Sequence, residues 1–119
     1  MPPVHNWSES IIIAELNDEP GFSEDMDALL QRLEQAPAGL PDVIVNAKTV
    51  SYVNSSNIAQ LLKLRKKLLG NGARLRLCSV APRVWSVLVA TGIDTLFDCT
   101  DDISTSLASL HIDQRPHPD

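Results

Sequence analysis

The chain alternates between short β-branched runs and longer stretches with helical spacing. Residues 10–16, SIIIAEL, are brief and rich in β-branched side chains, as a strand requires. A turn follows over residues 17–21, marked by Asp18 and the Pro20-Gly21 pair. A helix is predicted from about Ser23, a favoured N-cap, with Glu24, Asp25 and Asp27 where the helix dipole favours anions. Met26, Leu29, Leu30 and Leu33 recur at three- and four-residue spacing and give one apolar stripe, and PAGLP from Pro37 ends the helix.

Residues 42–47, DVIVNA, form an apolar run without alternation. Strands buried on both faces read that way, so the sheet is expected to be covered by helices. TVSYV connects this run to Asn54-Ser55-Ser56-Asn57, and helical spacing resumes at once. Ile58, Leu61, Leu62 and Leu69 form a stripe, broadened by Leu64 and Leu68, and Gly70-Asn71-Gly72 ends it. Residues 73–80, ARLRLCSV, alternate polar and apolar like a third strand. Pro82 opens the next helix, with Val84, Leu88 and Trp85 toward the core, and Gly92 closes it. TLFDC, residues 95–99, reads as a last short strand, and Asp101 or Asp102 as the cap of a helix through about Leu110. Residues 4–8 add an antiparallel edge strand. Strand and helix alternate throughout, which predicts an α/β domain with a mainly parallel four- or five-stranded sheet and about four helices. It is expected to span residues 1–110, with the proline-bearing 111–119 as a flexible tail.

Composition narrows the functional classes. With 119 residues, 44% of them hydrophobic, and a net charge of −5, the chain reads as one ordinary globular domain and a poor match for nucleic acid. Six of the ten basic residues crowd into one stretch: Lys63, Arg65, Lys66, Lys67, Arg74 and Arg76. A solvated helix face accounts for them, and a docking patch for an acidic partner is the alternative. Cys78 and Cys99 lie in apolar, strand-like contexts that suit small buried hydrophobes in a reducing compartment. No run is apolar enough to span a bilayer and no signal peptide is visible, so a cytoplasmic location without membrane insertion is expected. His5, His111 and His117 lie near the termini without metal-ligand spacing. No phosphate-cradling loop or nucleophile elbow appears. The strand that would carry a phosphoacceptor carboxylate offers Asn46 instead. No catalytic residues, metal or cofactor are therefore expected, and the chain is read as a non-enzyme.

Asn54-Ser55-Ser56-Asn57 leads straight into a helix, where Ser and Asn accept hydrogen bonds from first-turn N–H groups. Capping alone accounts for these residues. The same unpaired donors and positive helix end also suit a phosphate.

From residue 42 to 110 the chain resembles the STAS domain, the family of sulphate-transporter C-terminal domains and bacterial anti-sigma factor antagonists. The phrases that carry the resemblance are TVSYVNSSNIAQLL, then GNGARLRLCSVAPRVWSVLVATGIDTLF, then TDDISTSLASL as the final helix. The resemblance implies a STAS-like fold. In antagonist members the first serine of the leading phrase is phosphorylated by the partner anti-sigma factor, a protein kinase. The unphosphorylated form binds that kinase and frees the sigma factor, and the phosphate prevents binding. By position that serine is Ser55, with Ser56 as the second candidate. The family's usual Asp before it is Asn54 here, and the Gly after the pair is Asn57. The docking face is expected at Asn54, Ser55, Ser56, Asn57 and Ile58, joined by Arg83 where parallel strand ends align. The resemblance implies a regulatory, protein-binding anti-sigma factor antagonist whose partner is a serine-kinase anti-sigma factor or another signalling protein. The alternative is a non-phosphorylated STAS interaction or scaffold module of a signalling or lipid-transport complex. A monomer or weak homodimer is expected.

Overall fold

The computed structural model describes residues 2–36 and 39–113. Within them the order is β1 (Val4–Ser8), β2 (Ile11–Asn17), α1 (Gly21–Glu34), β3 (Asp42–Thr49), α2 (Ser55–Leu69), β4 (Leu75–Cys78), α3 (Pro82–Ala90), a 3-10 turn (Asp94–Leu96), β5 (Asp98–Thr100) and α4 (Ile103–Asp113). The five strands lie side by side in sequence order, β1 antiparallel to β2 and the other neighbours parallel.

That order dictates the layers. Each parallel step moves one strand in the same direction, and right-handed crossovers then place every connecting helix on one face. Accordingly Leu29 and Leu33 of α1, Leu64 and Leu68 of α2 and Val84 of α3 share the main core with Ile12, Val43, Val45 and Leu77. Helix α4 follows the last strand and covers the other face, where Leu110 meets Ile13, Ile44 and Cys78. The unbroken apolar run of β3 is explained: alternate residues enter two separate cores.

Several local expectations are corrected. Helix α1 starts at Gly21, and Ser23 is its third residue rather than its cap. The Glu19 carboxylate takes the capping role, accepting from the Ser23 amide and hydroxyl at 2.7 Å each. On α2 the buried stripe is Asn57, Leu61, Leu64 and Leu68, while Leu69 is exposed. Trp85 faces outward at 39% exposure; Val84 and Leu88 hold the core positions. Residues 95–99 are split between the 3-10 turn and the start of β5, and Cys99, on that sheet-edge strand, is exposed. Asp102 does cap α4, accepting from the Thr105 amide at 2.7 Å. That helix runs past Leu110 to Asp113, and the rest of the expected tail lies outside the described residues, as do His117, Pro37 and Ala38.

The polar members of the strands serve the architecture. Asp42 opens β3 and accepts from the Arg74 amide at 2.8 Å and from its guanidinium at 2.7 Å, tying the starts of β3 and β4 together. Arg76, a polar position of the alternating run, is only 7% exposed because α4 covers its face. Its Nε donates to Ser109 Oγ at 3.0 Å.

Candidate functional site

The candidate site is built on the carboxyl edge of the sheet, where parallel strands hand over to helix N-termini. After β3 the chain turns back through Val50, which is buried, and the exposed Ser51 and Tyr52. The Ser51 amide and hydroxyl donate to the Asp18 carboxylate at 2.8 and 2.5 Å, pinning this loop to the end of β2. Those bonds hold the Asp18 carboxyl below its ordinary range, the Ser51 hydroxyl contributing most.

Asn54 is the N-cap of α2. Its side-chain oxygen accepts from the Asn57 amide at 2.8 Å, and Asn57 Oδ1 accepts in return from the Asn54 amide at 3.0 Å. The pair is a capping box assembled entirely from amides. Asn57 is 1% exposed, so its side chain folds into the helix start instead of facing outward. Its Nδ2 donates onward to Gln60 Oε1 at 3.4 Å, Gln60 Nε2 to Ser23 Oγ at 3.0 Å, and Ser23 to Glu19. This polar chain joins the starts of α1 and α2. It also keeps the Glu19 carboxyl below its usual range, chiefly through the Ser23 hydroxyl. Asn57 and Gln60 are one helical turn apart, a spacing legible in sequence, but nothing local pointed to Ser23 or Glu19 as partners.

The box satisfies the Asn54 and Asn57 amides and leaves those of Ser55 and Ser56. Both serines are exposed, and neither their hydroxyls nor their amides have a hydrogen-bond partner among the described residues. The first turn of α2 carries no acid. Within its own first turn α2 therefore has no counterpart of Glu24 in α1 or of the Asp102 cap of α4; the carboxylate that reaches this helix start is Glu19, through the Asn57 side chain. Ile58 is half-buried behind the serines.

Helix α3 starts on the same edge, with Pro82 at its first position and Arg83 exposed beside it. Val53, just before the cap of α2, lines one small apolar void together with Val80 and Val84, on either side of Arg83. The starts of α2 and α3 are thus neighbours, and Asn54, Ser55, Ser56 and Arg83 all lie on this edge. The clustered bases do not join them: Arg74 and Arg76 lie in and just before β4, at the far edge, and Lys63, Lys66 and Lys67 run along α2. No group of three His, Cys, Asp or Glu side chains among the described residues is placed to hold a metal, and no helix there is long and apolar enough to cross a membrane.

The fold and this edge define an α/β domain that displays a helix N-terminus as an open surface. The chain belongs to the STAS domain family, whose model matches residues 5–109. No curated protein sequence matches it. Solved structures share the fold at low identity. RsbS from Moorella thermoacetica is 14% identical, with 96% of this chain and 97% of that one covered and a TM-score of 0.80. A putative anti-sigma factor antagonist from Thermotoga maritima is also 14% identical, covering 92% and 93% with a TM-score of 0.77. The anti-sigma factor antagonist SpoIIAA in its unphosphorylated form is 14% identical, covering 91% and 94% with a TM-score of 0.75. Its phosphorylated form, from Bacillus, is 13% identical over 90% and 96%, with a TM-score of 0.69.

Proposed function

We propose that the protein is an anti-sigma factor antagonist that binds a serine-kinase anti-sigma factor in the cytoplasm and is switched by phosphorylation of Ser55. The observation that carries this reading is the state of the α2 N-terminus: an exposed, unengaged hydroxyl at its first position, beside free amides and with no acid in the helix's own first turn. A phosphate on Ser55 gains from those donors and from the helix dipole, so modification is compatible with the fold. It would also place about two negative charges at the centre of the face through which Asn54, Ser56, Ile58 and Arg83 meet the partner. SpoIIAA, which shares the fold, exists in a phosphorylated and an unphosphorylated form. In this proposal Asn57 acts on the face indirectly, by fixing the cap, because its side chain is buried.

The test is to incubate the chain with ATP and a serine-kinase anti-sigma factor from the same genome, and to weigh the product. A gain of one phosphate that disappears in Ser55→Ala supports the switch. No gain, or a gain indifferent to Ser55→Ala, rejects it.

A second reading rests on Asn54 and Asn57. Their amide box holds the helix start without any carboxylate, which suits a constitutive interaction module of a signalling or lipid-transport complex. A complex that survives both Ser55→Ala and Ser55→Asp selects this reading. Loss with Ser55→Asp alone selects the switch.

A further inference from the structure

The start of α2 is encoded twice in the sequence. A reciprocal cap pairs a capping residue with an acceptor side chain three positions on. Asn54 with Asn57 meets that requirement, and so does Asn57 with Gln60. Ser55 and Ser56 do not, because Ile58 and Ala59 stand three positions on and offer no acceptor. The helix therefore has two admissible starts, about one turn apart. In the longer helix, the one observed, Ser55 and Ser56 are the first two residues. In the shorter one both serines would lie outside it, in the loop.

The choice between them is imposed from α1. The Glu19 carboxyl, held below its usual range, is ionised at neutral pH and can only accept hydrogen bonds. The Ser23 hydroxyl donates its one proton to it, so toward Gln60 the Ser23 oxygen can only accept. Gln60 accordingly turns Nε2 to Ser23 at 3.0 Å and Oε1 to Asn57. Asn57 meets it with Nδ2, which leaves Oδ1 for the Asn54 amide at 3.0 Å. The Glu19 carboxylate also draws directly on the Asn57 side chain, and so favours the same orientation. One fixed polarity thus runs through four side chains and ends at the longer cap. It also directs Gln60 Oε1 away from the Asn57 backbone amide, the bond the shorter helix requires. That amide donates to Asn54 Oδ1 at 2.8 Å instead.

We infer that Glu19 and Ser23 are positioning residues for the switch: they hold α2 in its longer register and so make Ser55, rather than Ser56, the phosphoacceptor. Successive residues of a helix point about 100° apart, so a partner docked on this edge in one orientation meets one hydroxyl and not the other. Two adjacent serines in a loop have no such fixed difference. The choice of acceptor rests on the reading of Ser55 as the phosphorylated switch, whereas the register of α2 stands independently of it.

The experiment uses the full chain and two readouts. The first needs no kinase: amide hydrogen exchange followed by NMR. The Ile58 amide donates to the Asn54 carbonyl at 3.0 Å, a bond that only the longer helix makes. Ser23→Ala and Glu19→Gln should each speed exchange at Ile58 about fivefold, the effect of one lost hydrogen bond. Asp102→Ala, which removes the α4 cap, should leave Ile58 unchanged. The second readout adds ATP and a serine-kinase anti-sigma factor from the same genome, and locates the phosphate by fragmentation mass spectrometry. It should sit on Ser55 in the wild type and spread to Ser56 in Ser23→Ala and Glu19→Gln. Ser23→Thr keeps the hydroxyl and should restore both the slow exchange and the single site. Ile58 exchange that neither variant moves, or that Asp102→Ala moves equally, overturns the inference. So does faster exchange with the phosphate still on Ser55 alone. A wild-type chain that takes up no phosphate rejects the switch and the acceptor choice with it, and the exchange readout still decides the register.

Discussion

Asn57 does two jobs from one buried position. Its Oδ1 closes the cap of α2 and its Nδ2 starts the chain of amides and hydroxyls that reaches α1. Asn57→Ala leaves the Asn54 amide without its partner and breaks that chain, so it should cost about 1–2 kcal/mol, read by urea denaturation. The cysteines separate as cleanly. Burial pushes both thiols up, but Cys78 is hidden beneath α4 whereas Cys99 is exposed. One thiol should react with iodoacetamide in the native protein and two after denaturation, counted by mass. The sequence suggested that Asn54, Ser55 or Ser56 caps α2, and Asn54 does. It could not show that Asn57 turns inward, because the place of an Asn one turn into a helix depends on whether a partner waits behind it. Cys99 was misplaced for a related reason: an apolar neighbourhood in sequence does not tell a central strand from an edge.

At the scale of elements, helix α2 carries both the core stripe and the open N-terminus. Ser55→Asp puts a carboxylate at its first position, in a turn that has no acid of its own, where the helix dipole should make the fold more stable by about 0.3–1 kcal/mol. Measured by thermal unfolding, that gain distinguishes lost partner binding from lost structure. Element identity was legible throughout, since β-branched runs and three- and four-residue spacings are local. Two details needed the tertiary structure. The α1 cap comes from Glu19, reaching forward four residues in a way no simple capping pattern anticipates. In α2, Leu64 and Leu68 face the sheet while Leu69 does not, because the approach of β4 and α1 selects one of two equally apolar stripes. Trp85 is a similar case, expected toward the core beside Val84 and Leu88 but exposed.

At the scale of the whole molecule, three carboxylates among the described residues link stability to acid. Asp18, Glu19 and Asp102 all titrate below the ordinary range, through bonds from Ser51, Ser23 and Thr105 respectively. Their folded values lie below the unfolded ones, so the stabilisation is complete above the ordinary carboxylate range. It is lost as pH falls through the folded values. The melting temperature should stay level from neutral pH to about 5 and decline below about 4. Ser51→Ala should make that decline shallower by returning Asp18 toward its unperturbed value.

The sheet's two faces are unequally provided for. Three helices, interleaved with the strands they cover, close one face as the chain is laid down, but the other waits for α4 alone. During synthesis Ile13, Ile44 and Cys78 therefore stay bare until the last turns of that helix leave the ribosome. A message cut short after β5 would yield a sheet with one apolar side open to its neighbours. Closure of that second face is thus a separate step that depends on α4.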